Sequence, residues 1–216
     1  MNIINEIYRI LEKEVSKYKA PVIELVKAQT KSADKILVAT ILSSRTKDET
    51  TAKVSKRLFI KMDKISDLKK MSQSEIEKLI YPVGFYKEKA KNLKKLPLML
   101  EKEFSGNIPR TIEELTMLPG VGRKTANLLL SSAFNIPAIC VDVHVHRILN
   151  RIGYIRTKDP EETEMRLRKK IPETLWTKTN RIFVPYGQTI CTPISPHCSK
   201  CKINNYCRKI AVGSRR

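Results

Sequence analysis

Leu118-Pro119-Gly120-Val121-Gly122-Arg123-Lys124-Thr125-Ala126 sets two glycines, two residues apart, between two helical patterns. Ahead of it, Thr111 and Glu114 have the spacing of a capping box for a helix over 111–117. Behind it, Leu128, Leu129, Leu130 and Phe134 belong to an apolar helix. Gly120 and Gly122 let the backbone turn tightly and approach a partner closely. The second helix brings its N-terminal N–H groups and positive dipole end to the same place. Gly120, Val121, Gly122, Arg123 and Thr125 therefore form a candidate grip on phosphate that needs no particular base sequence. Lys124 is oddly placed, because a cation in the first helical turn opposes the macrodipole and Arg123 is its neighbour. Two readings stand for it: a phosphate contact, or an amine reserved for attack on a carbon centre.

Val141-Asp142-Val143-His144-Val145-His146 follows after a short interval. Asp142 precedes a helical pattern and reads as its N-cap, which holds a carboxylate rigid. His144 and His146 are two apart and cannot share a helix face, so they are not a metal pair. We assign His144 to phosphate and His146 to the framework.

The rest of the chain carries helical rather than strand periodicity. Ile3, Ile7, Leu11 and Val15 recur at helical intervals, and Thr46…Glu49 and Ser72…Glu75 repeat the capping-box spacing. Asp159-Pro160 reads as an N-cap followed by proline at the first helical position. An all-α protein of short helices is expected. Lys plus Arg exceeds Asp plus Glu by 42 − 22 = 20, which calls for a polyanionic partner. Nucleic acid and an anionic membrane surface both fit that charge. The N-terminus lacks the pattern of a signal peptide, and the apolar run Ile36–Leu42 is too short to span a bilayer. The chain reads as soluble, intracellular and monomeric, with no membrane partner. Cys140, in an apolar run, reads as a buried inert thiol.

Cys191, Cys198, Cys201 and Cys207 are spaced C-x6-C-x2-C-x5-C. Four thiolates in so short a segment can enclose a [4Fe–4S] cluster or one tetrahedral zinc, and the spacing leaves both open. A disulfide framework does not suit the remainder of the chain.

Taken in order, residues 118–127, Val141–His144 and the cysteine spacing resemble the endonuclease III family, the iron–sulfur helix-hairpin-helix DNA glycosylases. The resemblance runs from about residue 30 to 207. It implies two all-α domains with a DNA-binding groove between them. One is a six-helix domain over 26–137 with the hairpin; the other combines 1–25 and 138–216 and carries a [4Fe–4S] cluster on the four cysteines. Lys124 matches the family's catalytic lysine and Asp142 its catalytic aspartate. A base-excision-repair glycosylase with AP lyase activity on oxidised pyrimidines in damaged double-stranded DNA is implied, at work in the cytoplasm of a prokaryote, on its nucleoid. Gly84, Phe85 and Lys89 fall where the family has a loop that pushes into the duplex. Phe85 reads either as that wedge or as a core aromatic; Lys89 as a DNA-facing cation. Arg45 stands where bacterial members commonly have glutamine, and its fork suits guanine. A mismatch-directed thymine–guanine glycosylase of the same fold, or a non-catalytic DNA-binding module with a metal clip, are the alternatives.

Overall fold

The computed structural model describes residues 3–216, and every regular element in them is helical. The helices are α1 (Ile3–Val15), α2 (Val22–Thr30), α3 (Ala33–Ser43), α4 (Asp48–Phe59), α5 (Gln73–Ile80), α6 (Tyr86–Phe104), α7 (Ile112–Met117), α8 (Arg123–Ala133), α9 (Val143–Ile152), α10 (Pro160–Lys170) and α11 (Trp176–Thr189). Short 3-10 turns complete the set. No helix among the described residues is long and apolar enough to cross a membrane. The chain divides into two compact units: Val22–Ile136, and the segment up to Pro21 together with Pro137–Arg216.

The unit Val22–Ile136 is built around α3. Every residue from Ile36 to Leu42 is buried. A helix that is apolar on all sides must be surrounded, and α2, α4, α6 and α8 pack against it. Its start is capped by Ser32, whose Oγ accepts from the Lys35 N–H at 3.3 Å. The unit holds α2–α8, of which the six helices α3–α8 lie wholly within the expected bounds 26–137.

One of the expected capping boxes forms completely, and at a second only the N-cap half forms. Ser72 and Glu75 exchange both bonds, at 3.2 and 2.6 Å, and Thr111 Oγ1 accepts from the Glu114 N–H at 3.2 Å. Asp159 caps α10 ahead of Pro160. The third box, Thr46…Glu49, does not form. Helix α4 begins at Asp48 behind Lys47, which gives no side-chain cap. The Thr46 hydroxyl is engaged instead by the Gly84 N–H at 3.1 Å and the Lys89 ammonium at 3.2 Å.

In the other unit, α1 shares a core with α9 and α11. Ile4, Ile7, Tyr8 and Leu11 are buried with Val145, Ile148, Leu149, Ile182 and Phe183. The buried stripe thus differs from the expected 3-7-11-15 series: Ile3 is 47% exposed, and Ile4 and Tyr8 turn inward. The Tyr8 ring meets Phe183 edge-on at 5.2 Å, and its hydroxyl lies 2.7 Å from Thr179 Oγ1. Chain segments far apart in sequence are therefore one folded body. Ile7→Ala should cost about 2–5 kcal/mol in urea denaturation; a loss under about 1 kcal/mol would show that α1 does not support this core.

Candidate functional site

Helix α7, the turn 118–122 and α8 form a helix-hairpin-helix. Leu118 and Val121 anchor the turn in the core, and the Val121 N–H donates to Leu118 O at 3.1 Å. Gly120 has φ +79, a region costly for side-chain-bearing residues, and a Cβ there would lie 3.3 Å from the Asn92 amide. Gly122 is the N-cap of α8 with no side chain to cap it, and a Cβ there would meet only open space. The hairpin consequently presents bare backbone at a helix N-terminus, the arrangement that binds phosphate. Lys124, the second residue of α8, is exposed beside it.

Asp142 is 8% exposed and caps α9. Its Oδ1 accepts from the N–H groups of His144 at 2.8 Å and Val145 at 2.9 Å. The carboxylate is thus held by the first turn of the helix it starts. His144 Nδ1 lies 3.0 Å from the Arg147 guanidinium. Since guanidinium only donates, Nδ1 is the acceptor, and we assign the ring proton to Nε2. His146 instead meets Thr163 Oγ1 at 2.8 Å, a framework contact.

Two loops of the unit Val22–Ile136 carry the remaining candidates. Phe85 is 63% exposed, so it is not a core aromatic. The Arg45 guanidinium lies over its ring, 5.3 Å from the centroid. Both residues are left-handed, with φ 51 and 57, a conformation costing roughly 1–2 kcal/mol each. An exposed cation–π contact returns only about 0.5–1 kcal/mol, so other bonds must hold this backbone. Gly84 is pressed against the Arg45 carbonyl; a Cβ there would come within 2.5 Å of the oxygen. A pocket of about 260 Å³ opens beside the pair, lined by Ile41, Ser44, Arg45, Phe85, Lys89, Asn92 and Gly120.

Lys89 corrects the expectation that it faces DNA. It is 7% exposed, and its ammonium donates to Leu42 O at 2.7 Å and Ser44 O at 2.5 Å. Five residues on, Lys94 does the same for the 3-10 turn Ile65–Lys70, donating to Lys69 O at 2.9 Å and Met71 O at 2.5 Å. Lys87, Lys91 and Lys95 of the same helix are exposed. The physical reason is that buried C-terminal carbonyls need donors, and a lysine stem can reach them.

Cys191, Cys198, Cys201 and Cys207 line one cavity with Arg151, Ile190 and His197. All four are free thiols. Among the described residues, no three His, Cys, Asp or Glu side chains converge on a single metal ion. Burial pushes the Cys201 and Cys207 thiols up, and the neighbouring cysteines push further. Four thiolates so close are stable only around positive charge, so the donor set fits a metal group. Tyr186 donates to Cys201 Sγ at 3.2 Å, and the Lys209 N–H to Cys207 Sγ at 3.4 Å.

Residues 38–173 match the family model of the HhH-GPD superfamily base excision DNA repair protein. The chain belongs to that superfamily. Endonuclease III of Thermotoga maritima is 43% identical over 173 residues, 80% of this chain and 81% of that one. A solved non-covalent endonuclease III–DNA complex superposes with a TM-score of 0.83 at 36% identity, over 95% of this chain and 94% of that one. A trapped endonuclease III–DNA covalent intermediate gives 0.79 at 34% identity, over 95% of each chain. The resemblance to endonuclease III carried by residues 118–127, 141–144 and the cysteines agrees with these matches.

Arg147 and Arg151 of this HhH-GPD protein were absent from the sequence-based candidates. Arg147 donates to Cys191 O at 2.8 Å and Gly187 O at 2.9 Å. Arg151 donates to Thr192 O and Pro193 O, each at 2.7 Å. The loop 192–197 has no Lys or Arg of its own; α9 supplies two arginines. Their i, i+4 spacing, placing both on one helix face, was the available signal.

Burial pushes Lys89 from its ordinary 10.5 to about 8. Between those values the unfolded chain binds more protons than the folded one, so this group's contribution to stability rises with pH across that window and is lost as pH falls through the folded value. In urea denaturation, wild type should therefore gain stability relative to Lys89→Met from about pH 7.5 to about pH 10. A pH-independent difference would contradict the burial of this cation.

Proposed function

We propose that the protein removes oxidised pyrimidines from duplex DNA and then cuts the strand, with Lys124 as nucleophile and Asp142 as its catalytic partner. The observation that carries this reading is the position of Lys124, an exposed residue in the first turn of α8, directly behind the bare-backbone hairpin of Gly120 and Gly122. A grip on the phosphate chain beside an amine suits attack on a sugar carbon of the same strand. The likeness to an endonuclease III trapped covalently on DNA supports it. Phosphate contacts are assigned to the backbone of Gly120–Gly122, to Arg123 and Thr125, and to His144.

A base inside the duplex hides its glycosidic carbon, so the damaged nucleotide must first leave the stack. The Lys124 amine attacks C1′, the C1′–N bond breaks, and the base departs with the bond pair and a proton. Opening of the sugar leaves a protonated imine on Lys124. Loss of a C2′ proton then expels the 3′ phosphate, and water releases the sugar from the lysine. Asp142, fixed by two backbone bonds, accepts protons and steadies positive charge on the sugar. Phe85 and Arg45 fill the gap left by the displaced base.

The four cysteines are assigned to a [4Fe–4S] cluster. The four thiols line one cavity, and the C-x6-C-x2-C-x5-C spacing shared with the endonuclease III family favours an all-thiolate cluster over a single zinc. When bound, the cluster supplies a cross-link across residues 191–207. Base release and β-elimination are redox-neutral and draw no electrons from it. Arg147 and Arg151 hold the first half of that loop.

Lys124→Gln should abolish base release and strand cleavage on a thymine glycol duplex, while affinity for a duplex with an abasic analogue falls less than about tenfold (~1.4 kcal/mol). Equal loss of affinity would make Lys124 a phosphate contact and return the protein to a binding module. Asp142→Asn should slow base release by more than about 10² with less effect on affinity; equal losses would reduce Asp142 to a helix cap.

A further inference from the structure

Lys89 is the centre of an arrangement that the chemistry above does not use. Its ammonium sits within hydrogen-bond reach of three acceptors, Leu42 O, Ser44 O and Thr46 Oγ1, all on the segment that carries Arg45. Its own helix begins directly behind Phe85, whose carbonyl accepts from the Lys89 N–H at 3.0 Å. The same residue thus ties the loop after α3 to the loop before α6. Gly84 closes the junction from the other side, donating to Thr46 Oγ1 at 3.1 Å and leaving no room for a Cβ beside the Arg45 carbonyl.

From this geometry we infer that Lys89 is a positioning residue for damage recognition: it pre-forms Arg45 and Phe85 as one rigid stacked pair, ready to occupy the duplex where a base has left. Arg45 and Phe85 are exposed and held in left-handed backbone, a state their own contact does not sustain. A buried ammonium bonded across the loop supplies the constraint. Its burial, which disfavours the charged form, is consistent with a group kept for position rather than for fold stability alone. A loop fixed before binding loses less freedom on DNA than a mobile one, so the constraint appears as discrimination for the gapped duplex. This inference rests on the glycosylase reading of the site.

The test compares the metal-loaded protein and its variants on two duplexes, one with a tetrahydrofuran abasic analogue and one undamaged. Wild type should prefer the analogue duplex; if it shows neither that preference nor a borohydride-trapped adduct on a true abasic site, the functional reading itself fails and takes the inference with it. With wild type behaving as expected, Lys89→Met should lose at least about tenfold in the ratio of the two affinities, with affinity for undamaged DNA and the far-ultraviolet circular dichroism kept. In an Arg45→Ala/Phe85→Ala background, the same change should alter the ratio less than about twofold, because the pair it positions is gone. Should Lys89→Met fail to fold, Gly84→Ala probes the same junction through its contact with the Arg45 carbonyl, and the same loss of ratio is expected. An unchanged ratio in a folded variant, or equal losses in the wild-type and pair-deleted backgrounds, would overturn the role.

Discussion

The unit Val22–Ile136 depends on one constraint: α3 is buried on every side from Ile36 to Leu42. Such a helix draws α2, α4, α6 and α8 around it, and that shell includes the two helices whose N-termini matter most here. It also creates a difficulty at its C-terminal end, where backbone carbonyls lose water and need donors. No glycine stands there to end the helix in a self-capping turn. A lysine from α6 takes the carbonyls instead, and the loop beyond α3 is shaped by that bond.

From this follows a division of labour along α6. Its lysine-rich sequence looks like one solvated cationic stripe, yet Lys89 and Lys94 turn inward to carbonyls while Lys87, Lys91 and Lys95 stay exposed. The inward pair are structural donors; the outward ones contribute to the field that a net charge of +20 projects toward a polyanion. A parallel arrangement occurs on α9, where the cap Asp142 stands at one end and two arginines further along bind the loop that begins at Cys191. In both helices, cations that composition alone assigns to DNA are spent on backbone oxygens.

Elements whose signal is local were legible in the sequence. The hairpin 118–122, the caps at Ser72, Thr111, Asp142 and Asp159, and the buried state of Cys140 each rest on a few neighbouring residues, and the structure shows them as expected. What was not legible depends on partners distant in sequence. Thr46 has the spacing of a capping box, but Gly84 and Lys89, about forty residues away, claim its hydroxyl. Lys89 looked like a DNA contact for the same reason, since its acceptors lie at the end of α3 and in the loop that follows it. Phe85 could be read as core or wedge until its exposure was known. The inward turn of α1 by one residue is likewise set by Phe183 and Thr179, which periodicity cannot see.

The central claim is that a single lysine at the start of α8 becomes covalently joined to DNA during repair. Borohydride reduction of the protein on a duplex with an abasic site, followed by peptide mapping of the adduct, measures this directly. The account predicts a stable cross-link confined to the peptide containing Lys124. A cross-link mapping to another amine, or none under conditions where the protein binds the duplex, would contradict it.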